Sequence, residues 1–231
     1  MRNALVIGLV GWLLQPLGAQ DPKDSVVGLW LGEARTQGGL GNWIDFHADG
    51  TVEVGFGALV GALLDDTYRL EGTTLTLRVF TGKVTPDGVP VFESVEKTVQ
   101  IEGEHAVVAS QRGDDDPEPE MLSPDEKAAW QLLHRPVTMT RVGSATPEAA
   151  PIAGTWSYRH YTGQTAYETF TPGGKWYLRV PMNQRRGRYT ATPAAVIVQS
   201  AQQSDRFTRE GDRLISGAAD GQHSTYRRAP D

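Results

Sequence analysis

The sequence predicts an all-β protein made of two tandem antiparallel modules, with one short helix inserted in the first. Three observations carry that prediction. First, Gly28-Leu29-Trp30, followed by Phe46-His47-Ala48-Asp49-Gly50-Thr51, recurs as Gly154-Thr155-Trp156, followed by Phe170-Thr171-Pro172-Gly173-Gly174-Lys175-Trp176. An internal repeat of this kind sets the architecture before any single element is read. Second, the other apolar residues fall in short runs of period two between turn residues, the pattern of an antiparallel barrel or sandwich. Third, the stretch 143–151, Gly-Ser-Ala-Thr-Pro-Glu-Ala-Ala-Pro, has linker composition and separates the copies.

The chain has 231 residues, room for one large or two small domains, and its 39% hydrophobic and 22% charged residues suit a packed core. It contains no cysteine. That excludes a disulfide framework, a thiolate metal site, a cysteine nucleophile and a lipid-anchored cysteine. The net charge of −6 is unevenly spread. Residues 1–150 carry 11 Lys and Arg against 22 Asp and Glu, a net −11, and residues 151–231 carry 11 against 6, a net +5. Such halves attract each other, or the basic half meets an anionic partner.

Met1-Arg2-Asn3 is a basic start, Ala4 to Leu14 is an apolar and glycine run, and Pro16 and Gly18-Ala19 follow. This is the layout of a secretory signal, cleaved after Ala19 and shorter than the roughly 20 residues a bilayer span needs. The expected location is therefore the periplasm or the exterior, with no membrane span after cleavage.

The first module runs over residues 26–142. Val26 to Ala34 opens it. Ile44 and Phe46 share one face of the next strand, with Asp45 and His47 on the other, and Asp49-Gly50 is a hairpin signal. Val52, Val54 and Phe56 share a face of the return strand. Residues 68–79 form a hairpin around Glu71-Gly72, residues 95–110 form another around Glu102-Gly103, and Val137 to Val142 closes the module. Residues 112–136 are an insertion: the acidic loop Asp114 to Glu120, then a helix. Ser123 is its N-cap, Pro124 its first position, Glu126 completes a capping box and Pro136 prevents extension. Trp130 and Leu133 fall on one side of that helix.

The second, smaller module runs over residues 152–228. Trp156 and Tyr158 share a face. Tyr167 to Phe170 turns through Pro172-Gly173-Gly174 into Lys175 to Val180, with Trp176, Leu178 and Val180 on one side. Strands over 188–191, 195–199, 206–208, 213–216 and 225–228 follow.

Each module resembles a bacterial lipocalin-like (calycin) domain. Four features carry the resemblance, in the same order in both halves: Gly-x-Trp at Trp30 and Trp156; Phe46 and Phe170 before a glycine turn; Glu102-Gly103 and Glu210-Gly211 before an apolar strand; and Arg141 and Arg228 on the last strand. The resemblance implies two up-and-down barrels of about eight strands each. It also implies that the closing arginine of each module packs over that module's own tryptophan, so that Arg141 plugs with Trp30 and Arg228 with Trp156. A guanidinium over an indole contributes about 0.5–2 kcal/mol. The glycine-rich apolar stretch Gly55 to Leu64 reads as an ordinary buried strand with a bulge or, in such a cup, as a lid over a ligand.

Nothing in the chain spells a phosphate loop, a nucleophile elbow, a zinc helix or a dinucleotide fingerprint. His47, His105, His134, His160 and His223 are scattered without metal-ligand spacing. His160 shares a face with Tyr158 and Trp156 and reads as a strand-end histidine at the surface or as a residue lining an interior. The Asp114–Glu120 loop lacks the turn glycine of a dedicated calcium loop. Arg185-Arg186-Gly187-Arg188 reads as a hairpin tip that meets solvent, a phosphate or an acidic protein.

The expectation is a non-enzymatic exported binding protein without cofactor or metal. Its ligand is a small apolar molecule, with Phe56, Leu59, Leu63, Tyr158, His160 and Trp176 as contacts, or its partner is an envelope protein; nucleic acid is not expected. The alternative is an inhibitor or interaction module with filled barrels acting through its loops. An enzyme ranks third, because no acid–base constellation is visible.

Overall fold

The computed structural model describes residues 22–36, 39–61, 66–110, 122–143, 150–201, 203–217 and 223–230. Residues 1–19, expected to be an export signal, the acidic stretch 114–120, Leu63 and most of the 143–151 stretch lie outside the described residues. So do the side chains of Trp130 and Leu133.

The described chain is all-β apart from one helix. The strands are β1 (Gly28–Arg35), β2 (Leu40–Phe46), β3 (Thr51–Gly61), β4 (Thr67–Glu71), β5 (Thr74–Val84), β6 (Pro90–Glu102) and β7 (His105–Ser110). Helix α1 (Pro124–His134) precedes β8 (Val137–Val142), β9 (Gly154–Arg159), β10 (Thr165–Phe170) and β11 (Trp176–Ala191). The last four are β12 (Ala195–Ser200), β13 (Ser204–Glu210), β14 (Arg213–Gly217) and β15 (His223–Arg228). Helix α1 starts as its sequence requires. The Ser123 hydroxyl accepts from the Glu126 N–H, and the Glu126 carboxylate accepts from the Ser123 N–H in return.

All fifteen strands join one antiparallel sheet, in the order β12-β13-β14-β15-β1-β2-β3-β11-β10-β9-β8-β7-β6-β5-β4. An extra β12–β11 pairing closes a ring of eight: β1 to β3, the C-terminal part of β11, and β12 to β15. A second circuit of eight runs from the N-terminal part of β11 through β10, β9, β8, β7, β6 and β5 to β4. It closes through a Thr67–Lys175 bridge and a Tyr68 N–H to Gly174 carbonyl bond of 2.9 Å.

This arrangement corrects the expectation that each half closes on itself. The halves pair directly through β1–β15, β3–β11 and β8–β9. Each ring takes its first three strands from one copy of the repeat and the other five from the other copy. The cause lies in β11, which spans 16 residues and serves as both third and fourth strand of its copy. Its first part pairs with β10, its last part with β12, and β3 runs alongside both. The register slips between Pro181 and Asn183. A proline lacks the N–H a ladder needs, so a bulge is where a strand tolerates one.

Two stretches that could be read as loops are strand. Arg185 to Arg188 lies inside β11 and is not a hairpin tip. Arg185 turns into the first ring and ion-pairs with Asp205, while Arg186 faces outward to Glu53 at 2.7 Å. Gly55 to Gly61 lies inside β3, paired on both sides with β2 and β11, so the buried-strand reading holds for these residues and the lid reading does not. Its glycines answer to close packing. A Cβ on Gly55 would enter the Trp43 indole, and one on Gly61, which has φ of +78°, would meet the Trp176 carbonyl at 2.5 Å.

Each ring encloses its own core. The first holds Trp30, Ile44, Phe46, Tyr189, Phe207 and Tyr226. The second holds Leu75, Leu77, Met139, Trp156, Phe170 and Trp176. Burying each such side chain stabilises by about 1.5–3 kcal/mol. A third cluster, Leu31, Trp43, Leu59 and Tyr177, packs on the opposite strand faces, between the rings. There the Arg179 guanidinium lies 4.3 Å from the Trp43 ring centroid and 5.0 Å from that of Tyr167, with Asp45 at 3.6 Å.

Candidate functional site

The two tryptophan plugs are built alike. Trp30 is 2% exposed and its indole N–H donates to the Val26 carbonyl at 2.8 Å. Trp156 is fully buried and donates to the Ile152 carbonyl at 2.7 Å. The glycines two residues earlier, Gly28 and Gly154, have φ of +119° and +123°, which a side chain would strain. The arginines are exchanged relative to the expected pairing. Arg141 lies 4.2 Å from the Trp156 ring centroid, opposite it in register, and donates to the Ala153 and Pro151 carbonyls. Arg228 is opposite Trp30 in register and donates to the Val27 carbonyl. Expecting Arg141 on Trp30 and Arg228 on Trp156 is corrected on this point, because β8 neighbours β9 and β15 neighbours β1.

A second repeated pair went unread in the sequence. Tyr68 meets Phe170 edge-on at 5.1 Å and donates to the Thr171 carbonyl; Tyr189 meets Phe46 at 4.8 Å and donates to the His47 carbonyl. Tyr68 lies near the start of β4 and Tyr189 near the end of β11, and each braces the turn after the second strand of the other copy.

The far ends of the rings differ. In the first, Arg185, Asp205 and Gln203 form a hydrogen-bonded closure above Tyr226. In the second, a cavity of about 160 Å³ opens at the mouth. Tyr158 and His160 line it, as their shared face with Trp156 predicts, together with Lys97, Val137, Met139 and Glu168. Glu168 is the residue the sequence reading missed. It sits on β10 between Ala166 and Phe170, opposite Trp156 on β9 and Leu178 on β11, so its side chain turns inward with theirs. It is 4% exposed and accepts the Trp176 indole N–H at 2.6 Å. The charge it carries into a largely apolar cup needs compensation, because a buried carboxylate loses its hydration.

The neighbouring groups respond to that burial. Desolvation, reinforced by the Glu168 charge, pushes the Tyr158 phenol far above its ordinary value, so it stays a neutral donor. Burial lowers His160 below its ordinary value. Its Nδ1 lies 2.9 Å from the Thr162 hydroxyl and 3.4 Å from the Thr162 backbone nitrogen.

The six residues expected to contact ligand do not form one site. Tyr158 and His160 line the mouth, and Trp176 holds its carboxylate. Leu59 lies in the cluster between the rings, Phe56 is half-buried on β3 beside Asn42 and Asn183, and Leu63 lies outside the described residues. A second cavity, also about 160 Å³, opens beside Pro181 and Tyr167 with no charged lining residue. Among the described residues no group of three His, Asp or Glu could hold a metal ion.

Compared with known proteins, the chain matches no family model, no curated protein and no solved structure.

Proposed function

We propose that the chain is an exported, non-enzymatic binding protein of lipocalin-like type. Its first barrel is a filled structural element, and the mouth of its second receives one small molecule. The observation that supports this reading is the asymmetry of the two ring ends: an ion pair seals one, and a cavity with a buried carboxylate opens at the other. The cavity is smaller than the roughly 300 Å³ of an ordinary ligand pocket. It also contains Glu168, so the reading shifts from an apolar ligand to a small one with a polar group.

The filled-barrel interaction module remains the second reading, favoured by the packed first ring. Native mass spectrometry of protein purified from an export-competent host separates the two. The binding reading expects one small-molecule adduct per chain, lost in Ser110→Trp, which fills the mouth, and kept in Ser216→Trp on the first ring. A chain that never carries an adduct, from host or added metabolite extract, supports the interaction module instead.

A further inference from the structure

Resting on the mouth of the second ring as a small-molecule site, we infer that its ligand is a small zwitterion, with its cationic end on Glu168 and its anionic end among Lys97, Arg135 and Arg159. The charges lining the cavity are segregated. Among the described residues Glu168 is the one carboxylate that lines it, on the inner face of the cup and opposite the plug residue Trp156. Among the described residues Lys97, Arg135 and Arg159 are the cations that line it: Lys97 lies within β6 opposite Ser110, the last residue of β7, while Arg135 follows α1 and Arg159 ends β9, both exposed. Among the described residues no Lys, Arg or His nitrogen lies within the 4.0 Å of an ion pair with Glu168. The Trp176 indole gives Glu168 one neutral hydrogen bond, which does not cancel its charge.

That arrangement selects against simpler ligands. A lone anion small enough to enter is drawn to the rim but repelled by Glu168. A lone cation must pass three like charges to reach the carboxylate. A molecule with both charges satisfies both ends, and the orientation follows from the depth of each. Between the ends, Val108, Val137 and Met139 offer an apolar wall for a short hydrocarbon spacer. Tyr158 lines the same cavity, and an aromatic ring there favours an ammonium group. The cavity of about 160 Å³ limits the ligand to amino-acid size. His160, held neutral by burial, adds no charge to the rim.

The test is calorimetric titration of the full chain at neutral pH with unbranched ω-aminoalkanoates of two to six carbons, the matching alkylammonium ions and the matching alkanoates. The inference expects the best aminoalkanoate to bind at least about tenfold more tightly than either single-charge partner. Glu168→Gln should weaken the aminoalkanoate about tenfold and leave the alkanoate unchanged or improved. Lys97→Gln should weaken the aminoalkanoate and improve the alkylammonium ion; being a rim change, it keeps the test open if Glu168→Gln does not fold. An alkylammonium ion that binds as well as its aminoalkanoate overturns the zwitterion. If no probe binds while native mass spectrometry still finds an adduct, the zwitterion falls and the binding reading stands. If neither appears, both fall.

Discussion

The exchanged plugs give the sharpest stability prediction. Trp156 is fully buried and carries the Arg141 guanidinium 4.2 Å above its ring. Trp156→Ala removes one of the two tryptophans of the second core and should cost about 3–5 kcal/mol through the cavity left behind. Arg141, whose side chain is 6% exposed, loses more than the stacking term when truncated. Its cation–π contact contributes about 0.5–2 kcal/mol. The Ala153 and Pro151 carbonyls it now satisfies would also lose a charged donor, each bond worth about 1.5–3 kcal/mol before water replaces it at the exposed one. Arg141→Ala should therefore cost about 2–4 kcal/mol, more than Arg228→Ala, whose guanidinium is more exposed. The decisive quantity is the coupling. In urea denaturation, Arg141 and Trp156 should couple by about 0.5–2 kcal/mol, while Arg228 and Trp156 should be additive within about 0.5 kcal/mol. Strong Arg228–Trp156 coupling with an additive Arg141–Trp156 pair would refute the exchange and restore two self-contained halves.

Three further outcomes follow from single side chains. Gly55→Ala should destabilise by about 1–3 kcal/mol by driving a methyl into the Trp43 indole, whereas Gly217→Ala, with nothing within 4 Å of its Cβ, should change stability by less than about 0.5 kcal/mol; urea midpoints check both. Asp66 is fully buried, its Oδ1 accepts the Phe80 N–H at 2.8 Å, and its Oδ2 has no partner among the described residues. Burial raises its carboxyl above the ordinary 3.8, so the folded state holds the proton more tightly. Stability from this group is complete below the unfolded value and is lost as pH rises through the folded one. Asp66→Asn should flatten that decline, seen as a smaller loss of urea midpoint between about pH 4 and pH 7. His160 titrates the other way: its lowered value makes its contribution present above about pH 6.5 and lost on acidification, so His160→Gln should reduce the acid-side loss.

Much of the fold is legible in the sequence because strand faces follow from period two alone. Ile44 and Phe46 enter a core while Asp45 stays at least partly exposed, and Trp176 and Leu178 face inward together. The capping box of α1 is equally local. Partner choice is not local. Alternation places Arg141 and Arg228 inward but does not say which tryptophan each meets, because the two copies offer the same site. The stretch 143–151 reads as a linker whether it joins two domains or, as here, returns β8 to pair with β9. Arg185 to Arg188 looked like a tip because charge suggests solvent, yet Arg185 enters a ring with Asp205 as its partner. The site was half legible. Tyr158 and His160 follow from parity with Trp156. Glu168 follows from the same parity with Phe170, but the ordinary assignment of a glutamate to the surface hid it. Tyr68 and Tyr189 were visible as a repeat, at Thr67-Tyr68-Arg69-Leu70 and Arg188-Tyr189-Thr190-Ala191, too short to stand out.

The mouth of the second ring exists only if both halves build it: Lys97 and Val137 come from the first, Tyr158 and Glu168 from the second. The most direct measurement is to insert a specific protease site within residues 144–149, cleave the native protein, and weigh the product by native mass spectrometry. The exchanged sheet predicts one particle of full mass that separates only in denaturant and still binds what the uncut chain binds. Two fragments that separate under native conditions, each keeping its β-sheet circular dichroism, would contradict it.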